Sequence, residues 1–266
     1  MKVVAARATA DVVELVGDTP TLRLFGLLEV IASRDRLFSL QALVEETGLP
    51  KPTLHRMLQQ LEQAGLLQRE SDGRHYAMAP RLRRLAENLL LNDSHHGARH
   101  AVLRRLVDEI GESCNLTALS GSEVVYLDRV ETAAPLRFWL QAGSRVPVHC
   151  SASGKVFLAQ MAAEQRRRLL SQAPLERFTP GTLVDLARLE REVKRVQKEG
   201  SAVDDEEFLP GLVCLAVPVP APGGRGNLCI ALQAPTMRMS IARAKEHLPA
   251  LRRAADAIAA IDADAA

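Results

Sequence analysis

Between Leu40 and Tyr76 the chain reads LQALVEETGLPKPTLHRMLQQLEQAGLLQRESDGRHY. Leu40, Leu43 and Val44 fall on one helical face, and Gly48 with Pro50 ends that helix after about two turns. Lys51-Pro52-Thr53 opens a second helix, with proline early, where a missing N–H costs little. Leu54, Met57, Leu58 and Leu61 recur at i, i+3, i+4 and i+7, an apolar stripe that needs a core behind it. The opposite face carries Lys51, Thr53, His55, Arg56 and Gln59, side chains able to bond bases and phosphates. Gly65 stops the helix, and Gly73 marks the tip of a hairpin bearing Arg69, Arg74 and His75. Helix, tight turn, helix and basic hairpin together predict a winged helix-turn-helix, which lays its second helix in the major groove of double-stranded DNA.

The net charge of +2 over 266 residues does not by itself imply nucleic-acid binding. Local charge is more informative. From Leu49 to Arg84 seven basic residues (Lys51, Arg56, Arg69, Arg74, Arg81, Arg83, Arg84) face three acidic ones (Glu62, Glu70, Asp72). That excess coincides with the second helix and hairpin, as phosphate contacts require. The four cysteines, Cys114, Cys150, Cys214 and Cys229, form no CxxC pair and fit buried, reduced thiols. The start MKVVAARATADVVELVGD contains acids and lacks a continuous apolar core, unlike a signal peptide, and no run approaches the ~20 apolar residues of a membrane span. The expectation is a soluble, cytoplasmic protein with no membrane partner.

Length and pattern predict two domains. Residues 1–19 read as an arm, 20–80 as the DNA-reading domain, 81–96 as a linker helix and 97–266 as a second domain. A first helix runs from Pro20 to Ala32, with Leu22, Phe25, Leu28 and Ile31 on one face. After Pro80 the leucines Leu82, Leu85, Leu89 and Leu90 make an amphipathic helix that either joins the domains or packs on its own, and Asn92-Asp93-Ser94 breaks it. A helix from about Gly97 to Ile110 follows. Strands are expected at Cys114–Leu119, Glu123–Val130 and Leu136–Leu140, the last containing Trp139. Pro147 to Gly154 reads as a loop before an apolar helix from Lys155 to about Met161. Ala162–Ser171 and Leu183–Lys198 are further helices, with Arg166-Arg167-Arg168 as a solvated face. Strands at Ser201–Asp204, Leu212–Val219 and Asn227–Leu232, with a Gly223–Gly226 turn, precede one terminal helix from Ser240 to Ile261. Strands paired as hairpins favour an α+β domain with a mainly antiparallel sheet.

Several of these stretches together resemble the isocitrate-lyase-regulator (IclR) family of bacterial transcription factors. In the first domain the resemblance rests on Thr47 to Arg56 (TGLPKPTLHR) and Leu61 to Leu67. In the second it rests on GESCNL from Gly111, VVYLDRV from Val124, GSRVPVHCSASGK from Gly143, DDEE from Asp204 and GLVCLA from Gly211. It extends from about residue 20 to the C-terminus. The resemblance implies a winged-helix reader, a linker helix and a GAF-like effector-binding domain, assembled as homodimers or dimers of dimers on operator DNA. It further implies a small-molecule effector, a carboxylate, and transcription regulation without catalysis or a cofactor. Within that plan the solvent face of the second helix, Lys51, Thr53, His55, Arg56 and Gln59, is expected to read the operator, with Arg74 on the wing holding phosphate or a minor groove.

By resemblance to members that bind small keto acids, the effector site falls on the loop Ala152-Ser153, with Gly154 beginning the helix, and on Asp204 and Cys214. Two late-strand serines of those members are replaced here by Ala231 and Gln233. The loss of two hydroxyls points to a larger or differently shaped ligand than a two- or three-carbon keto acid. The loop makes independent sense, because N–H groups at a helix start favour an anion. Asp204 fits a loop-capping acid equally well, and Cys214, within LVCLAV, fits a core thiol. The rival functions are weaker. Ser151 and Lys155 stand four apart, not the three of an SxxK pair, and no GxSxG or HExxH occurs. A DNA-binding redox or metal sensor using the cysteines is the alternative. Against a metal, Cys spacing gives no local chelate, and adjacent His149 and Cys150 cannot easily share one ion.

Overall fold

The computed structural model describes residues 19–32, 37–91, 96–172, 174–221 and 226–263. The arm before residue 19, the break at 92–94 and most of the 223–226 turn lie outside the described residues. The chain forms two compact units, residues 1–86 and 87–266.

In the first unit, helix α1 (Pro20–Ala32) precedes a two-residue strand β1 (Phe38–Ser39), helix α2 (Leu40–Thr47), helix α3 (Lys51–Gln63) and a hairpin of β2 (Leu67–Arg69) and β3 (His75–Met78). Ser39 caps α2, its hydroxyl accepting from the Ala42 N–H at 3.2 Å, an interaction that contributes ~1 kcal/mol. Gly48 ends α2 in the left-handed conformation, φ 65°, where a side chain would be strained. That turn brings α3 across α2 within three residues. The predicted stripe is the core: Leu54, Met57, Leu58 and Leu61 are buried against Leu27, Ile31, Leu43, Leu67 and Tyr76. Each fully buried leucine stabilises by about 1.5–3 kcal/mol. Pattern reading missed β1, because two residues carry no period; it pairs Phe38 with Tyr76 and stacks their rings. Helix α4 (Pro80–Leu91) follows, and the boundary between the units falls inside it.

The second unit is a six-stranded antiparallel sheet with helices on both faces, an α+β fold. Helix α5 (His96–Ile110) leads into β4 (Ser113–Ser120), β5 (Glu123–Val130) and β6 (Arg145–Pro147). Helices α6 (Ala152–Gln160), α7 (Ala163–Leu170) and α8 (Leu186–Glu199) cross over to β7 (Ala202–Asp205), β8 (Leu212–Pro218) and β9 (Leu228–Pro235). Helices α9 (Ile241–Glu246) and α10 (Leu248–Ala263) close the chain. The strand order is β6-β5-β4-β9-β8-β7, so β9 returns beside β4 and joins the two hairpin halves. Alternation along each strand separates two cores. On β8, Val213, Leu215 and Val217 pack with α5 and α10, while Leu212, Cys214 and Ala216 pack with α6 and α8. Buried on both faces, β8 and β9 read as near-continuous apolar runs.

Several sequence expectations need correction, among them the inward face of α1, where Leu27, Val30 and Ile31 are buried and Leu22 and Phe25 are exposed. Leu136–Leu140 is not a strand; Leu136 and Trp139 are exposed, because β6 holds the pairing edge of β5 through Glu123↔Pro147 and Val125↔Arg145. Helix α6 begins at Ala152 rather than Lys155, since Ser151 caps it by accepting from the Gly154 N–H. The terminal helix is two helices separated at His247; Pro249 lacks the N–H that one continuous helix would use there.

Candidate functional site

In the first unit, α3 buries one side and presents the other. Lys51, His55, Arg56 and Gln59 are exposed and Thr53 is half-buried, so the five predicted residues share the solvent side of one helix. Lys51, His55 and Arg56 make no side-chain hydrogen bond or ion pair among the described residues. Other basic residues of the region are already engaged. Arg69 bonds Glu62 at 3.1 Å and the Tyr76 hydroxyl at 2.8 Å, tying hairpin to helix. Arg81 donates to the Ala64 carbonyl at 2.6 Å, satisfying the end of α3, and Arg83 to the Met78 carbonyl at 3.2 Å. At the hairpin tip Asp72 accepts from the Arg74 and His75 N–H groups at 2.8 and 3.0 Å. The His75 side chain, 2.5 Å away, together with those N–H groups holds the Asp72 carboxyl well below its usual range. The tip is thereby shaped without using the Arg74 guanidinium, which stays exposed.

In the second unit a small cavity lies between the sheet and the start of α6. Its walls are Asn115, Val124, Tyr126 and Val146, then Ser151, Ala152 and Ser153, then Asp204, Phe208, Leu212, Cys214 and Ala231. Five of the seven predicted effector residues therefore meet there: Ala152, Ser153, Asp204, Cys214 and Ala231. Gly154 and Gln233 do not line it. A Cβ on Gly154 would stand 2.2 Å from the Val148 carbonyl oxygen, so glycine there lets the preceding loop fold against the helix. Gln233 sits behind the wall, buried, accepting from Arg129 through its side-chain oxygen. Its amide nitrogen, beside the Tyr126 hydroxyl and Cys214 thiol, finds no aligned partner, and neither does the Asn115 side-chain oxygen.

The electrostatics centre on Asp204. It is 1% exposed, and its Oδ1 accepts from the Glu207 N–H at 2.7 Å and, more weakly, the Phe208 N–H at 3.4 Å. Burial pushes its carboxyl up to about 7, with Lys155 pulling the other way. Lys155 is fully buried and paired with Glu207, with Glu192 at 3.7 Å. The free volume of the cavity is only about 10 Å³, the room of a single water. Phe208, Tyr126 and Ala231 all line this small space.

Two models of known families match the chain. The IclR helix-turn-helix domain matches residues 20–71, and the bacterial transcriptional regulator IclR C-terminal domain matches residues 96–260. The chain belongs to the IclR family. It is 45% identical over 235 residues to a probable transcriptional regulator, SauR, of Cupriavidus necator, covering 88% of this chain and 93% of that one. It is 33% identical to the transcriptional repressor IclR of Escherichia coli, covering 71% and 70% of the two chains. Among solved structures, an IclR homolog of Microbacterium hydrocarbonoxydans complexed with 4-hydroxybenzoate superimposes with a TM-score of 0.57 at 25% identity, over 90% of this chain and 96% of that one. A putative regulator of Rhodococcus shares the fold at a TM-score of 0.64 and 24% identity, covering 90% and 97%. The protein is thus a DNA-binding, ligand-responsive transcriptional regulator. No helix among the described residues is long and apolar enough to cross a membrane.

In this IclR regulator the four cysteines are buried in the second unit. Cys114, Cys150, Cys214 and Cys229 are buried and unpaired, and burial raises every thiol, that of Cys229 to about 12. A thiol sensor needs the opposite, a push toward thiolate. His149 is buried, bonds the Glu176 carbonyl at 2.9 Å and packs on Phe178, a structural role. Ser151 donates to the Pro147 carbonyl at 2.7 Å and Lys155 is held by Glu207, so the two form no nucleophile and base. Arg166 departs from the solvated face read for the triplet: it is buried, bonded twice to Glu190 at 2.8 Å and to the carbonyls of Leu158 and Met161. Sequence reasoning passed over Asn115, Tyr126 and Phe208. An asparagine inside the apolar strand SCNLTALS was the available signal, since a buried amide needs a partner.

Proposed function

We propose that this regulator senses a small carboxylate in the Ala152–Ala231 cavity and transmits that event to an operator held by Lys51, Thr53, His55, Arg56, Gln59 and Arg74. The observation that carries the reading is the chemistry of the cavity wall. The N–H groups of Ala152 and Ser153, at the first helical positions of α6, have no intrahelical acceptor. Together with the helix dipole they suit a carboxylate. Asp204, poised near 7, can lend a proton to that carboxylate instead of repelling it. The 4-hydroxybenzoate bound by the Microbacterium homolog supports the same ligand class.

A carboxylate metabolite exceeds the 10 Å³ of free space, so binding displaces a wall. In this proposal the displaced wall is Phe208, on the segment between β7 and β8 that starts at Glu206, a non-glycine residue with φ 56°. In a homodimer or dimer of dimers, with domains at 20–80 and 97–266 joined by the 81–96 segment, that displacement shifts the spacing of the winged helices. An operator of fixed half-site separation then distinguishes the two states. A coupling of ~1–3 kcal/mol changes occupancy about 5- to 150-fold. The protein does this in the cytoplasm, without catalysing a reaction.

The test is a screen of carboxylates, aromatic ones included, by thermal shift and operator binding, on the natural chain and on Ala231→Leu. The leucine fills the cavity. We expect it to abolish the ligand response while ligand-free operator affinity is unchanged. An undiminished response in Ala231→Leu refutes this site.

A further inference from the structure

We propose that His96, His100 and Asp128 form a transition-metal site, with Zn2+ as the ion its donors suit, on the sheet face opposite the effector cavity. His96 and His100 stand four apart on α5, so their imidazoles lie one above the other, centroids 5.8 Å apart and 16° from coplanar. Asp128, near the end of β5, lies against both. The His100 Nδ1 is 3.0 Å from each of its carboxylate oxygens, and the His96 Nε2 is 3.5 Å from Oδ1. The three ligand atoms all fall within 4.8 Å of one another.

The placement of Asp128 is not what plain alternation along β5 gives. Val124 and Tyr126 face the effector-side core, and Asp128, two further on, would follow them. The register breaks there: Leu116 pairs with Asp128 but Thr117 with Tyr126, so Leu127 is an extra residue. Such a bulge re-aims the strand. Val130 accordingly packs with the α5 and α10 core, and Asp128 turns toward α5. The Arg129 N–H donates to Asp128 Oδ1 at 2.7 Å, fixing the carboxylate as an outer partner fixes a metal ligand.

The distances fit the ion. Bonds of ~2.0–2.2 Å to nitrogen and oxygen set the edges of a tetrahedron at roughly 3.3 Å. The two carboxylate–imidazole separations bracket that value. Only the imidazole–imidazole edge has to close, by a small rotation of His96, the most exposed of the three. Two imidazoles and one carboxylate select zinc or its transition-metal neighbours over magnesium and calcium, which take oxygen. Asp128 is buried while the histidines reach solvent, so an ion enters from the imidazole side. Bound there, it would clamp the first turn of α5 to the sheet.

Full-length, tag-free protein, stripped with chelator, should be titrated with Zn2+ against a chromophoric competitor, alongside His96→Ala and Asp128→Asn. His96→Ala retains the His100–Asp128 contact, so far-UV circular dichroism should match the natural chain. We expect one equivalent of Zn2+ per chain, a rise in melting temperature with Zn2+, and affinity at least about tenfold weaker in both variants. No binding by the natural chain, or equal affinity in all three proteins, overturns the site.

Discussion

Asp204→Asn offers a quantitative test of the effector cavity. The Asp204 carboxyl titrates near 7 in the fold against 3.8 in solvent, because burial disfavours its ionised form. A raised pKa contributes stability that is complete below the unfolded value and is lost as pH rises through the folded one. Each tenfold change in the ionisation equilibrium is worth ~1.4 kcal/mol, so the natural chain should lose on the order of 4 kcal/mol between pH 4 and pH 8 through this group alone. The asparagine has no proton to lose, and its side-chain oxygen still accepts from the Glu207 and Phe208 N–H groups. Chemical denaturation of both proteins at several pH values, taking the difference between them at each, cancels every other titrating group to first order. The variant should gain on the natural chain steadily from pH 4 to about 7 and then level off. The same ionisation should weaken carboxylate binding above pH 7 in the natural chain but not in Asp204→Asn. A flat difference, or a natural chain that gains on the variant as pH rises, would show that Asp204 ionises in the ordinary range and would remove it from the proposed recognition.

Arg56→Ala should weaken specific operator binding by ~1–3 kcal/mol and leave the ligand-induced thermal shift intact, as read by gel shift and calorimetry. Gly154→Ala drives a methyl into the Val148 backbone and should cost about 3 kcal/mol of stability along with the ligand response, measured by thermal melting with and without ligand. Arg166→Met leaves Glu190 and two carbonyls without their cation and should cost about 3 kcal/mol in chemical denaturation, whereas Arg167→Met, on the exposed side, should cost almost nothing.

The exposed face of α3, proposed above to read DNA, was legible in sequence because it depends on local rules. The stripe at Leu54, Met57, Leu58 and Leu61 defines which side of α3 is buried, and the exposure of Lys51, His55, Arg56 and Gln59 then follows from helical geometry. The proposed effector cavity was legible only in part. Its small residues and its acid came through the resemblance, but Asn115, Tyr126 and Phe208 reach it from three separate segments, and no spacing along the chain relates them.

Charge was legible in sign but not in pairing. Arg166 reads as part of a solvated face yet is buried against Glu190, while Arg69 and Arg81 stay exposed and are each bonded to a partner on another element. Leu136–Leu140 looks like a strand, yet whether an apolar run joins a sheet depends on which segment holds the neighbouring edge, and β6 holds it. By itself, then, the amino-acid sequence determined most of the helices, the winged unit, the division into two units and which side of α3 is exposed, because side-chain periodicity and helix-stop residues act over a few positions. The tertiary structure alone decided how closed the cavity is, how far burial lifts Asp204, and that a one-residue bulge at Leu127 carries Asp128 to the histidines of α5. Those outcomes are set by atoms brought close through sheet pairing between β4, β5 and β9, a contact order that no local pattern encodes.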